Sequence, residues 1–148
     1  MRINIVKCEL VKEKSLNYQT ENSCIKSPQD VYKVSTDVLK LQNASEEYFY
    51  IAMLDTKNKI NGIAQISHGS LNSTIVHPRE VFKLAVLANA SGIVFIHNHP
   101  SGDPTPSRED IETTSRLIQS GDILGIKVLD HIIVGDGRYA SLKEQGLI

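Results

Sequence analysis

The chain has 148 residues, enough for one domain with a substantial hydrophobic core and too few for a second of ordinary size. Hydrophobic residues make up 41% and charged residues 22%, a mix that excludes a disordered chain. Sixteen Lys plus Arg against seventeen Asp plus Glu leave a formal net charge of -1, so no overall field draws the molecule to nucleic acid or anionic lipid.

Residues 3 to 11, INIVKCELV, alternate loosely between apolar and polar and predict a first strand at a sheet edge. The polar stretch from Lys12 to Lys26 has no sustained period and reads as a loop. Cys8 and Cys24 lack metal-ligand spacing and no secretory h-region precedes them, so reduced thiols and a cytoplasmic location are expected. Ser27 then serves as N-cap for a helix with Pro28 at its first position, Asp30 in its first turn, and Val31, Val34, Val38 and Leu41 on its apolar face. The run YFYIAML predicts a strand. It ends at the turn signal Asp55-Thr56-Lys57-Asn58, and a second hairpin arm covers Ile60 to Ile66 with a bulge at Gly62.

A short strand through Ser73 to Val76 leads into His77-Pro78-Arg79-Glu80, which opens a second helix. Val81, Leu84, Ala85 and Ala88 share one face of it, and Asn89 to Gly92 close it. Ile93 to Ile96 are continuously apolar, as expected of a central strand covered on both faces. Residues 100 to 106, PSGDPTP, hold three prolines and one glycine, and so form a fixed loop. A third helix begins at Ser107 and runs to about Ser120. Residues 126 to 134 give another strand, and Asp136-Gly137 turns the chain into Tyr139 and Ala140. The expected architecture is α/β, an α+β sandwich with a mixed sheet flanked by helices. It is a single domain, with a strand and loop over residues 1–26 preceding a body at 27–148. No apolar run approaches the roughly 18 to 20 residues of a membrane span, and with no tryptophan and 5% aromatics there is little for a base-stacking platform.

The chemistry concentrates at the end of the central strand. His97 and His99 are two apart, so alternation points both imidazoles to one side. Asp110 lies on the first turn of the next helix, brought back by the proline-rich loop. Two imidazoles and one carboxylate form an open zinc site with a position left for water, the catalytic rather than the structural kind. Such an ion brings the pKa of a water to about 7 and still requires a general base. Ser107, three residues before Asp110, reads in two ways: as a hydroxyl that aids an oxyanion, or as the cap of an S-x-x-D capping box. Asp130 and His131 lie inside a strand, where structural support or orientation of a ligand is the better reading. His68 and His77 carry no assignment; Ser67-His68-Gly69-Ser70 could line a groove or simply form a bulged turn.

The run His97-Asn98-His99-Pro100-Ser101-Gly102-Asp103-Pro104-Thr105-Pro106-Ser107-Arg108-Glu109-Asp110 matches H-x-H-x(7)-S-x-x-D, the signature of JAMM/MPN metalloproteases. With HPREVF before it and LDHIIVGDGRYASLKEQGLI after it, the chain from about Ser27 to Ile148 resembles the RadC family of that superfamily. The resemblance implies a mixed sheet flanked by helices and one Zn2+ per chain held by His97, His99 and Asp110. It further implies that Ser107 assists the oxyanion, and that a glutamate near an earlier strand acts as base and then acid. Glu47 is the best match, since Glu47-Tyr48-Phe49 fits the family's E-x-F; Glu46 is its rival, and Glu80 is already explained by the helix dipole. Longer members carry an N-terminal helix-hairpin-helix region that binds DNA backbone. The 148 residues have no room for one, which marks a short form and counts against direct DNA binding. Two functions follow as expectations. One is a zinc metallopeptidase acting on an amide bond of a peptide or protein substrate. The other is a DNA-repair- or mobile-element-associated accessory domain whose metal is structural or vestigial.

Overall fold

The computed structural model describes residues 1–19, 23–69 and 76–148. Its elements in chain order are α1 (Pro28–Asp37), a 3-10 turn (Leu41–Asn43), β1 (Tyr48–Leu54), β2 (Ile60–His68), α2 (Pro78–Leu87), β3 (Gly92–Asn98), α3 (Arg108–Leu124), β4 (Lys127–Val134) and β5 (Tyr139–Ser141). The sheet has the order β2-β1-β3-β4-β5. Only β3 and β4 run parallel, and α3 makes the crossover that such a pair requires. β1 is antiparallel to both β2 and β3, and β5 is antiparallel to β4. The α+β fold with a mixed sheet flanked by helices is the one expected, and the sheet has five strands among the described residues.

β3 lies at the centre and every one of its seven residues is buried. Alternation divides its side chains between two cores. Ile93 and Phe95 join Phe49, Ile51 and Met53 of β1 beneath Val81, Phe82 and Ala85 of α2 and Leu117 of α3. Val94 and Ile96 join Ala52, Leu54, Ile132 and Val134 beneath Val31 of α1 and Leu41. The helices therefore cover both faces, which is why this strand shows no apolar-polar alternation. Each such burial contributes about 1.5 to 3 kcal/mol. His97, two residues after Phe95, falls on the α2–α3 face.

The helix starts form as their caps dictate. Ser27 and Asp30 make a reciprocal capping box at α1, with Pro28 in the first turn. The β1–β2 hairpin closes as expected: the Asp55 carboxylate accepts from the main-chain N–H of Lys57 and Lys59. The register skips Asn61 beside Gly62, so the bulge is present.

Three expectations need comment. Residues 3 to 11 form no strand: residues 1–19 contain no regular element, and Ile3, Ile5 and Val6 are 73%, 99% and 87% exposed. Alternation supplies one face for burial but no partner for the ladder, and among the described residues nothing pairs with this segment. α3 runs on past Ser120 to Leu124 and is capped by Gly125 at φ 70°. Gly121 is no stop signal; a Cβ there would lie 2.5 Å from the carbonyl oxygen of Ile126, so the glycine lets the returning chain pack against the helix. The strand expected from Ser73 lies largely outside the described residues.

Candidate metal centre

At the C-terminal end of β3, Glu47, His97, His99 and Asp110 each offer a ligand atom, all within 4.8 Å of one another. Among the described residues this is the one His/Cys/Asp/Glu group that could hold a metal ion. Four segments build it. β3 carries His97 and points it to the α3 side, and the chain beyond the strand end carries His99. The main-chain N–H of His99 donates to the carbonyl oxygen of Val134 at 2.9 Å, so β4 continues to support the chain past the last β3 residue. The proline-rich loop folds back on the same strand end: Asp136 donates its N–H to the Gly102 carbonyl oxygen at 2.9 Å. Gly135 makes this closeness feasible, since a Cβ there would lie 2.5 Å from the Gly102 carbonyl oxygen and 2.7 Å from Cδ of Pro104.

Ser107 caps α3 and, in doing so, orients Asp110. Its N–H and its hydroxyl both donate to Asp110 Oδ2 at 2.7 Å, and its oxygen accepts the Asp110 N–H at 3.1 Å. The capping box is present, and the hydroxyl proton is given to the aspartate. With Oδ2 held in this way, Oδ1 is turned toward His97 Nε2 at 3.4 Å.

His97 is fully buried, stacked on Phe49, with Nε2 2.9 Å from His99 Nε2. His99 keeps 17% side-chain exposure, which makes its side the open one. Its Nδ1 lies 2.7 Å from the Asp103 carbonyl oxygen. A carbonyl can only accept, so Nδ1 carries a proton and Nε2 is the atom turned to the group. Glu47 Oε1 completes the arrangement at 3.8 Å from His97 Nε2 and 4.0 Å from His99 Nε2.

The electrostatics diverge across short distances. Burial pushes His97 well below its ordinary value, and the neighbouring His131 adds to the effect. Burial likewise takes His131 down to about 4. Hydrogen bonding to the Asp110 carboxylate raises His99 against its own partial burial. Burial alone would raise Asp110, but hydrogen bonding from His99, the neighbouring His97 ring and the Ser107 donors together hold it far below the usual carboxylate range.

A cation fits these residues. Asp110 Oδ1 is buried with no hydrogen-bond partner, an arrangement that costs about 1 to 3 kcal/mol or more for a charged oxygen left uncompensated. Two ring nitrogens 2.9 Å apart cannot both present lone pairs unless a proton or a cation lies with them. Imidazole nitrogen and carboxylate oxygen are also the donor types that transition metals and zinc take.

The other acidic and histidine candidates lie elsewhere. Glu46 faces His68, 3.5 Å from its Nδ1, and His68 stacks on Tyr48 at the outer hairpin. Ser67 and His68 belong to β2 itself, and Ser70 is outside the described residues. Glu80 pairs with Lys83 on the exposed side of α2, and His77 contacts Arg79 at that helix's start. Asp130 accepts from the N–H groups of His131 and Lys143 and from the Ser141 hydroxyl, which ties β4 to β5.

Two residues were not singled out by sequence reasoning. Asn98, buried between the two histidines, donates its amide to the Glu46 carbonyl oxygen and accepts the Tyr48 N–H, both at 2.9 Å. It thereby clamps the main chain on each side of Glu47. Thr114, fully buried one turn after Asp110, contacts His131 Nδ1 at 2.6 Å, while His131 Nε2 lies 2.7 Å from His97 Nδ1. The available signal was a polar residue at a position that periodicity assigns to the interior.

Residues 25–147 match the family described as RadC-like JAB domain. The chain is 56% identical over 138 residues to a UPF0758 protein of Caldanaerobacter subterraneus subsp. tengcongensis, covering 93% of this chain and 58% of that protein. It is 53% identical over 124 residues to a UPF0758 protein of Desulfitobacterium hafniense, covering 84% and 54%. It is 52% identical over 124 residues to a UPF0758 protein of Methanosarcina mazei, covering 84% and 53%. The chain thus spans a little over half the length of these curated relatives, whose names state no activity. The mixed sheet, the four converging donors and a match over nearly the whole folded body agree: the chain belongs to the RadC-like JAB domain family.

Proposed function

We propose that this domain is a zinc-dependent hydrolase of an amide bond, of the peptidase or isopeptidase kind, with His97, His99 and Asp110 as ligands and Glu47 as the proton-transfer group. The observation that carries the reading is the buried Asp110 Oδ1, without a hydrogen-bond partner and facing the paired imidazoles. Zinc held there would act as a Lewis acid toward a carbonyl oxygen and make hydroxide available near neutral pH. The chain's own residues supply the rest. Glu47, partly exposed and held between two main-chain hydrogen bonds to Asn98, accepts the proton of the attacking water and passes it to the leaving nitrogen. Access is from the His99 and Glu47 side, because His97 and Asp110 are buried. Ser107 holds Asp110 in place; its further role, donation to an oxyanion, uses the proton that Asp110 now receives, so the hydroxyl serves one acceptor at a time.

A second reading follows from Glu47 being a fourth donor in the same group. If its carboxylate also binds the ion, the site is closed, and the metal is structural. Glu47→Gln separates the two. In a hydrolase, the variant keeps about one zinc per chain and loses about 10²- to 10⁴-fold in turnover. In a closed site, zinc affinity itself falls. The assay is zinc content of the purified chain together with cleavage of a panel of fluorogenic peptide and lysine-isopeptide amides. Wild-type protein that takes up no zinc would overturn both readings.

A further inference from the structure

On the Nδ1 side of the His97 ring, away from Asp110 and His99, two buried polar side chains follow one another. Thr114 Oγ1 lies 2.6 Å from the main-chain carbonyl oxygen of Asp110 and 2.6 Å from His131 Nδ1. His131 Nε2 lies 2.7 Å from His97 Nδ1. Thr114 and His97 show no exposure and His131 shows 1%, so water does not substitute for any of these contacts.

The proton positions follow by elimination. A carbonyl oxygen has no proton to give, so the single hydroxyl proton of Thr114 goes to Asp110. Thr114 Oγ1 can then only accept, and His131 must donate from Nδ1. His131 is buried without a carboxylate partner, so it is neutral and its Nε2 is bare. That bare nitrogen takes a proton from His97 Nδ1. His97, neutral as well, is left with its lone pair on Nε2, the atom turned toward Asp110 Oδ1 and His99.

We infer that Thr114 and His131 are positioning residues, whose run of hydrogen bonds from the Asp110 main chain fixes His97 as the tautomer with Nε2 free to bind a metal. The metal half of this inference rests on the function proposed above; the tautomer half does not. The run also returns to its origin. It begins at the main chain of Asp110 and ends at a ring whose Nε2 faces the Asp110 side chain 3.4 Å away, so one residue of α3 sets both the carboxylate and the imidazole. Hydrogen bonds of this kind to a ligand's far nitrogen orient the ring and raise its basicity, and their loss costs about 10- to 100-fold in metal affinity.

Thr114→Val keeps the shape and removes the hydroxyl. His131 is then free to move its proton to Nε2 and donate to His97 Nδ1, which drives the His97 proton onto Nε2, where it blocks a ligand position. The full chain is compared as wild type, Thr114→Val and Thr114→Ser. Long-range 1H–15N spectra of zinc-free protein read the tautomers, and competition with a chromophoric chelator reads zinc affinity. In wild type, His97 and His131 are both expected to carry the proton on Nδ1. Thr114→Val is expected to bind zinc about 10- to 100-fold more weakly, with Thr114→Ser restoring the wild-type value. A wild-type His97 protonated on Nε2 would overturn the inference, whether or not any variant folds. Unchanged zinc affinity in a folded Thr114→Val would overturn it too. Wild-type protein that fails to bind zinc would overturn the functional reading and the metal half together, while the spectra still decide the tautomer.

Discussion

Asn98→Ala should destabilise the fold and displace Glu47 while leaving His97, His99 and Asp110 in place. The amide joins two main-chain groups of the segment that carries Glu47, donating to Glu46 and accepting from Tyr48, each at 2.9 Å. Truncation leaves both partners unpaired, at about 1 to 3 kcal/mol for each group that stays out of reach of water. Glu46 is exposed and Tyr48 half-buried, so water replaces part of what is lost and the lower half of that range applies, about 2 to 4 kcal/mol in total. For a chain of this length the unfolding entropy is about 0.3 kcal/mol per kelvin, which turns the loss into a fall in Tm of about 6 to 13 °C. Thermal melts of zinc-free protein read the stability, and zinc content and amide cleavage read the site. The expected pattern is a lower Tm, zinc retained, and turnover reduced as Glu47 loses its fixed position. A Tm within about 2 °C of wild type would refute the clamp. Zinc loss as complete as in His97→Ala would refute the separation of Asn98 from the ligands.

Gly135→Ala sets a Cβ 2.5 Å from the Gly102 carbonyl oxygen, so the loop must shift. A loss of about 1 to 3 kcal/mol is expected in melts, with weaker zinc binding because Asp103, the acceptor for His99 Nδ1, lies on that loop. An unchanged Tm would refute the close approach. Ser107→Ala removes a cap worth about 1 kcal/mol, or about 3 °C, and one donor to Asp110. If the hydroxyl also serves an oxyanion, turnover at saturating zinc falls about 10²- to 10³-fold; a fall that merely tracks zinc occupancy would show that orienting Asp110 is its whole contribution. Zinc at one hundred times its Kd should stabilise the fold by about 2.7 kcal/mol, close to 9 °C in Tm, and a chelator should reverse the gain. Melts that coincide with and without chelator would refute a native-state metal site.

The parts of the fold that could be read from the sequence are those set by near neighbours. Ser27 and Ser107 cap their helices through residues three positions on, and the proline-rich loop cannot be helix or strand whatever surrounds it. The unbroken apolar run in β3 announced a strand covered on both faces. His97, His99 and Asp110 could be matched because they fall within one short stretch. What local pattern could not reveal depends on partners far along the chain. INIVKCELV has the alternation of a strand but no neighbour to pair with. Gly121 resembles a helix terminator until Ile126 and Phe82 are seen packed against it. Asn98 reaches residues 50 and 52 positions earlier, and His97 meets His131 across 34. Glu47 was matched to a family pattern rather than derived, and the separation of its carboxylate from that of Glu46 became visible only with the hairpin formed. Among the described residues, no helix is long and apolar enough to cross a membrane.

The wide spread of these contacts along the chain also bears on when the centre comes into being during synthesis. His97, His99 and Asp110 leave the ribosome before the segment that contains His131. The parallel neighbour of β3 waits on the whole of α3, and pairing over such a separation is slow. A nascent chain therefore passes through a period in which His97 lacks the contact with His131 that constrains its ring in the folded protein. Closure of the sheet ends that period, since it brings His131 Nε2 to 2.7 Å from His97 Nδ1 and leaves His97 Nε2 as the atom turned toward Asp110.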